Sequence, residues 1–581
     1  MCLVAGLINE NLIEFLVIFL IFVICHLDFL DISPPHNRLH YSTNTLLSQD
    51  GKEYCMDFAI FSTRIFTGNP AQPWAEALKI TDHRISHVGS NTEVKKACST
   101  HTEMLDLPGR LVTPGLVDAH CHFLNLGRSF QMVNLRDAAS LAEVRERIQK
   151  AVVSYGPADW IIGRGWNHHQ WEEQREPTRK DLDDIIPNNP AMMVRVCGHS
   201  VWVNTTAIER AGITRRTPNP AGGQIDKDPS NGEPTGLLRE ARHIIEAHIP
   251  SPTLEERKQM VIAAQEDALR SGITGVHTCE SLKEWEAFAA LEAEGKLKVR
   301  VYHLLPPDDL KKALSRGITA GFGSERLWFK HVKLFADGSL GSGTALMHAP
   351  YSDNSNGCGI AYLEKDRLEE KIKLAYSLGC DVAIHAIGDL AVTNALESIA
   401  AARKQFPGDH RDRLEHVQLY RPRDLQIFHD LGVVASVQPV FLPTDWAPAD
   451  RRWGPQRCRY AYAWKSLLQA GLRLQFGSDA PVESINPIYG IQAAVTRQTV
   501  LGEPPGGWFP EQKLSLEESI TGFTAVAAWS ARREDKLGSI AAGKWADLTV
   551  YNQDLFSLPP DNWPDVETEL TVVHGEVVHS K

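Results

Sequence analysis

The chain lacks a Cys-x-x-Cys pair and any regular cysteine framework; its ten cysteines are scattered over 581 residues. That argues against a secreted disulfide scaffold and for a reduced compartment. Excess positive charge is missing too, since 60 Lys and Arg face 72 Asp and Glu, for a net charge of -12. With no basic helix, aromatic-interleaved basic patch or zinc-finger spacing, nothing suggests nucleic acid as a partner. No glycine-rich dinucleotide or phosphate motif is present, which disfavours carbohydrate-acting and cofactor-dependent barrels. Internal repeats and low-complexity tracts are also absent. What remains is a long chain, 43% hydrophobic, with enough apolar residues for a large barrel plus appendages.

The most informative feature present is His120-Cys121-His122, at the end of the apolar run Leu111 to Ala119. On a strand, residues two apart point the same way, so both imidazoles face one side and Cys121 the other. Neutral imidazole is the commonest protein ligand for a transition metal, although a lone His-x-His also arises without one. Four further strand-like runs end in a polar residue just before a loop. They are Trp328 to Gly338, carrying Lys333 inside an apolar stretch; Asp381 to His385; Arg413 to Gln418, carrying His416; and Leu472 to Pro481, carrying Asp479. Polar residues at strand ends are how an active site on the C-terminal face of a parallel barrel is written in sequence.

A closed barrel needs eight strands, and the runs supply them: Leu111–His120, Ile273–Thr278, Leu297–Leu305, Trp328–Ala336, Cys380–His385, Arg413–Gln418, Val433–Gln438 and Leu472–Asp479. Between them lie helical patterns such as Leu254–Ser271, Leu368–Leu378 and Ala391–Arg403. The expected fold is α/β, a (β/α)8 TIM barrel. On this register the polar candidates fall on strands one, four, five, six and eight. Each has an ordinary reading alone: His385 or His416 as a hydrogen-bonded core histidine, Lys333 as a salt-bridged core lysine, Asp479 as a turn or N-cap aspartate. Together, on strand ends of a register that closes at eight, they point to a metal site.

These stretches resemble the metal-dependent amidohydrolase superfamily, and within it the amidohydrolase 3 group that includes N-substituted formamide deformylases. The resemblance is carried by Thr113 to His122, Lys333 to Ser342, Ile384 to Asp389, Leu414 to Gln418, Gly477 to Pro481 and a closing signature from Gly538 to Leu548; it runs from about Met56 to the C-terminus. It implies that His120 and His122 hold one metal, His385 and His416 a second, and that Lys333 bridges them as a carbamate. An ammonium has no lone pair and could not serve. Asp479 is implied as a ligand and as the base that takes a proton from the attacking water and delivers it to the leaving nitrogen. Asp479, Lys333 and His385 are the residues expected to carry catalysis, with zinc as the preferred metal, one ion or two if Lys333 is carbamylated. A one-metal site using some of these ligands is the competing arrangement.

Residues 123–252, between strands one and two, are too many for a barrel loop and form an inserted subdomain or lid. Trp166 and His199 within it, and His277 on strand two, are candidates for contacting substrate; packing of the insert is the alternative for Trp166. Gly223 to Gly236 reads as a hairpin leading into a helix at Leu237. Two positions depart from the family pattern: Gly343, where many relatives carry arginine, and Phe441, where histidine is common. Residues 56–110 and 536–581 are strand-like, and the resemblance implies that they pair as one small discontinuous β-sandwich around the barrel of residues 111–535.

Residues 1–55 lie outside the resemblance. Phe15 to Cys25 is apolar, but no Lys or Arg precedes Arg38, so the positive start of a signal peptide is missing. Spanning a bilayer takes ~20 apolar residues, which requires counting 12–32 with its acidic residues. A cytoplasmic catalytic body is expected, with a membrane anchor through 12–32 as the alternative, residues before Met56 not being part of the functional protein as a third reading, and a homodimer left open. The expected activity is metal-dependent hydrolysis of non-peptide carbon-nitrogen bonds in a small-molecule amide, such as an N-formyl or N-acyl amine. A lactonase or esterase on the same metal site, or a non-catalytic metal-binding regulatory protein, are the alternatives.

Overall fold

Eight parallel strands, neighbouring one another in chain order, form the central sheet: β1 (Leu116–Cys121), β2 (Ile273–Cys279), β3 (Arg300–Leu305), β4 (Leu327–Phe335), β5 (Asp381–Ala386), β6 (Arg413–His416), β7 (Val434–Val437) and β8 (Leu474–Phe476). This is a computed structural model, and it describes residues 57–153, 155–195, 198, 200–220 and 223–581. The expectations attached to residues 1–55 and to His199 therefore lie outside the described residues. Among the described residues no helix is long and apolar enough to cross a membrane.

The sheet curls until its last strand meets its first. The Asp479 amide donates to the His120 carbonyl at 2.7 Å, and the His122 amide to the Ala480 carbonyl at 2.8 Å. Gly477 permits this approach, because a Cβ there would lie 2.4 Å from the His120 nitrogen. The seam of the barrel thus runs through two candidate ligands. Helices Leu254–Arg270, Lys365–Ser377 and Asp389–Gln405 cover the outside. In the first, Thr253 and Glu256 form a reciprocal capping box, and Met260, Val261, Ala264, Ala268 and Leu269 turn one stripe inward at helical spacing. Each large aliphatic so buried contributes roughly 1.5–3 kcal/mol.

The run expected as one strand from Leu111 is two. Leu111–Pro114 pairs with Leu548–Tyr551 and Arg64–Phe66, and only after Gly115 does the chain enter the barrel as β1. At Gly115 a Cβ would sit 2.4 Å from Thr274 Oγ1, so the crossing needs glycine. Strands from both chain ends interleave in a six-stranded sheet, in the order Glu576–Ser580, Thr568–Val573, Leu548–Tyr551, Leu111–Pro114, Arg64–Phe66 and Trp74–Ala75. A four-stranded sheet of Arg84–Gly89, Ala77–Thr81, Phe58–Phe61 and Glu103–Asp106 completes this terminal region. It is tied to β3 by a buried ion pair in which Arg300 Nε and Nη2 donate to Asp547 at 2.6 and 2.9 Å.

The segment after β1 has its own six-stranded sheet, Gln224–Lys227, Pro234–Arg239, Ser200–Val203, Ala191–Arg195, Ile161–Trp166 and Val133–Asn134 in order. Alternate residues fill two cores: Met193, Trp202 and Leu237 on one face, Met192, Val194, Val201, Val203 and Leu238 on the other. The Gly223–Gly236 hairpin is present, but no helix starts at Leu237. Leu237 and Leu238 point to opposite cores, a period of two, and the helix begins at Arg242.

Candidate metal centre

Each candidate ligand stands at the C-terminal end of a barrel strand, aimed at the mouth. His120 and His122 leave β1, Lys333 leaves β4, His385 β5, His416 β6, and Asp479 follows β8. The His120 ring lies 4.9 Å from that of His416 and 5.9 Å from that of His122, and the His385 and His416 rings are 4.5 Å apart. Asp479 Oδ1 lies 3.2 Å from His122 Nε2 and 3.4 Å from His120 Nε2, and Lys333 Nζ is 3.4 Å from His120 Nε2. His120, His122 and Asp479 bring one donor atom each within 4.8 Å of one another. His416 at φ 76° and Asp479 at φ 57° both occupy the left-handed region. Such positions cost of order 1–3 kcal/mol each and cluster at functional sites.

The ring nitrogens make the chemistry explicit. His122 Nδ1 is 3.1 Å from the Cys279 carbonyl, His385 Nε2 2.9 Å from the Gly338 carbonyl, and His416 Nδ1 2.7 Å from Gln438 Oε1; His120 Nδ1 meets the Glu415 carboxylate. All four partners are acceptors, so each of these nitrogens carries a proton and the other nitrogen faces inward, where its lone pair would be available to a metal. Metal-ligating histidines are held in this way by an outer acceptor.

Charge reinforces the pattern. Burial, with Lys333 close by, pulls His385 down to about 4, and burial together with His385 and His120 pulls His416 well below the usual imidazole value. Burial opposes charge on Asp479, His120 and His122 alike, yet the carboxylate and the two rings stabilise one another's charged forms: Asp479 is held well below the usual carboxylate range, and both imidazoles, His120 also through Cys279 and Glu415, are raised above their usual value. Two neutral imidazoles, and two whose inward proton a metal would replace, facing a carboxylate make up the nitrogen and oxygen donor set that zinc takes. The residues present therefore fit a metal, with Lys333 placed beside it.

A second acidic cluster, Asp381, His410 and Asp412, differs in kind. Arg532 lies 3.0 Å from Asp381 and Arg403 2.6 Å from Asp412, so those carboxylates are already neutralised by arginines.

The candidate substrate contacts fare differently from the ligands. Trp166 is 1% exposed, donates through Nε1 to the Met193 carbonyl at 2.7 Å, and packs on Trp171 and Trp202 inside the insert's own core. Its ring is spent on packing. His277 is buried on β2, its Nδ1 2.9 Å from Arg413 Nη1 and its ring edge-on to Tyr302. It is engaged by the barrel interior.

Several residues at the centre escape the sequence reading. Cys279, ending β2, places Sγ 4.0 Å from His120 Nε2; burial would raise its pKa, but Lys333, His120 and His122 bring it to about 6. Asp337 accepts from the amides of Leu346, Ile387 and Gly388, bracing the loops after β4 and β5. Glu415 and Gln438 hold ligand rings from outside. The signal that could have found Cys279 and Gln438 is the one that found the ligands, a polar residue at a barrel strand end.

Comparison with known proteins agrees with this geometry. The chain is 33% identical to the Bacillus subtilis protein YtcJ over 87% of its own length and 96% of that protein. It is 28% identical to the N-substituted formamide deformylase of Arthrobacter pascens, over 89% of this chain and 97% of that one. Among solved structures, an uncharacterized metal-dependent hydrolase from Pyrococcus furiosus superposes with a TM-score of 0.72 at 33% identity, covering 86% of this chain and 99% of that one. The model of the amidohydrolase family matches residues 103–579, and the chain belongs to that family.

Proposed function

We propose that the chain is a metal-dependent hydrolase of non-peptide carbon-nitrogen bonds, acting on linear amides such as N-formyl or N-acyl amines. The observation that carries this reading is the set of four imidazoles, each tied on its outer nitrogen and turning its inner one toward the barrel mouth, with Asp479 against two of them. His120, His122, His385, His416 and Asp479 would hold zinc. A bound zinc supplies Lewis acidity, which acidifies water and polarises a carbonyl. Asp479, kept ionised by its histidine neighbours, accepts a proton from water at its free carboxylate oxygen and returns it to the departing nitrogen. Lys333 becomes an anionic ligand on reaction with carbon dioxide: its neutral amine forms an N–C bond, loses one proton and gains a carboxylate. The kinship with the formamide deformylase supports the amide class. Phe335, 42% exposed with its ring 5.5 Å from that of His385, gives the mouth an apolar flank suited to an uncharged substituent.

The test is elemental analysis of the purified chain with and without bicarbonate, followed by a screen of formamides, N-acyl amines and lactones. Two zinc equivalents that fall when Lys333→Ala is made, with amide turnover, are expected. One equivalent insensitive to Lys333 would remove the carbamate bridge. Turnover of lactones alone would move the reading to an esterase, and folded protein without metal would end it.

A further inference from the structure

The outer contacts of the four imidazoles are not equivalent. Three rest on neutral acceptors, the Cys279 and Gly338 carbonyls and the Gln438 amide, whereas His120 rests on a carboxylate. That carboxylate belongs to Glu415, which is 0% exposed, and an ion so buried needs a partner. Arg413, also 0% exposed, stands two residues earlier on β6 and so on the same face. Its Nε donates to Glu415 Oε1, while Glu415 Oε2 takes the His120 Nδ1 proton. Its Nη2 donates to the carbonyl of Ala119 at 2.6 Å, and its Nη1 lies 2.9 Å from His277 Nδ1. One guanidinium therefore grips both the main chain entering His120 and the carboxylate on the His120 ring. Arginine has donors only, so His277 Nδ1 must be the acceptor and its ring is neutral. Burial and the adjacent Arg413 keep the His277 pKa well below its usual value, in keeping with that role.

We propose that Glu415, Arg413 and His277 form a buried clamp that positions His120, fixing its proton on Nδ1 and its Nε2 lone pair toward the metal. This rests on the metal reading above. His277 is then a positioning residue in place of a substrate contact. The carboxylate behind the ring also raises its basicity as a ligand. The metal held by His120 is accordingly the one most sensitive to the clamp.

Cobalt(II) alone is the probe, titrated into the metal-stripped full chain and followed by its visible absorption. Glu415→Gln leaves Arg413 buried without its ion partner and risks unfolding, so the double variant Arg413→Met/Glu415→Gln, which removes both charges, is the main test. The expected result is weaker binding of the first cobalt by ~10–100-fold, with an altered spectrum, in a chain that remains folded. A role in packing alone would lower the melting temperature but leave cobalt affinity and spectrum at 25 °C unchanged; that result overturns the clamp. Arg413→Lys keeps a cation beside Glu415 but loses the fork to Ala119 and His277. It is expected to weaken binding by roughly threefold or more, and decides the matter if the double variant does not fold. Failure of the wild-type chain to take up cobalt would instead defeat the metal reading itself.

Discussion

Asparagine at position 479 keeps the shape of the aspartate and removes its charge and basicity. The backbone there, at φ 57°, is one that asparagine tolerates better than most residues, so the seam of the barrel should close as before. A positioned general base contributes typically ~10²–10⁴-fold, about 3 to 5 kcal/mol at 1.36 kcal/mol per tenfold. The structure favours the upper half of that range. Asp479 Oδ1 is within 3.4 Å of both His120 Nε2 and His122 Nε2, whereas Glu415 lies behind His120 and is held by Arg413, so it cannot stand in as base. Asparagine also gives up an anionic donor, so the variant must be assayed with metal in excess and its metal content checked. On an amide turned over by the wild type, Asp479→Asn is expected to lower kcat by ~10³–10⁴ while KM stays within a few fold, the pattern of a transition-state contribution. A metal-replete variant within tenfold of wild-type kcat would refute Asp479 as the proton carrier.

Three further outcomes follow from the fold. Asp547→Asn strips the buried Arg300 of its ion partner and is expected to cost about 3–5 kcal/mol, read from the urea midpoint; a loss under about 1 kcal/mol would show the pair dispensable. Asp381 is held at about 2 in the folded chain, since His410, His331 and Arg532 outweigh its burial, against ~3.9 when unfolded. A depressed folded value means that its stabilisation, about 2 to 3 kcal/mol, is present above pH ~4 and lost as pH falls toward 2. Asp381→Asn should flatten that part of the stability profile, and an unchanged acid limb would contradict it. Gly477→Ala puts a methyl 2.4 Å from the His120 nitrogen, so metal content and melting temperature should fall together, and a variant with both intact would show that the seam relaxes freely.

The barrel is legible in the sequence because its strands are apolar runs, most of them closed by a polar residue, and because counting to eight tests the assignment. The break at Gly115 is not legible. Leu111–Pro114 and Leu116–Cys121 are fully buried, so hydrophobicity does not change where the chain passes from the terminal sheet into the barrel. The strand over Pro234–Arg239 is hidden for a related reason. Its apolar residues fall as the pair Leu237 and Leu238, which suits the stripe of a helix as well as the two faces of a sheet with a core on each side. Composition cannot separate those cases; the pairing of Leu238 with Val201 and Ile225 does.

At the centre, the inward donors and their outer partners differ in how they can be read. A donor at a strand end is marked by its own position, one residue in one run. An outer acceptor is defined by a pair of strands: Gln438 on the chain after β7 serves His416 of β6, and Gly338 after β4 serves His385 of β5, in each case from the adjacent strand. Glu415 of β6 reaches His120 across the barrel interior. The neighbour relations become available once strand order is known, whereas the crossing contact also requires the barrel to close at the right shear. The same holds for His277, whose position on β2 marks it as pointing inward but does not say at what depth. Its depth is set by the stagger between β2 and β6, which brings its Nδ1 to Arg413 rather than to the mouth. Sequence thus identifies which residues face the axis, and the stagger of the closed barrel decides which of them meet a metal and which hold the ligands in place.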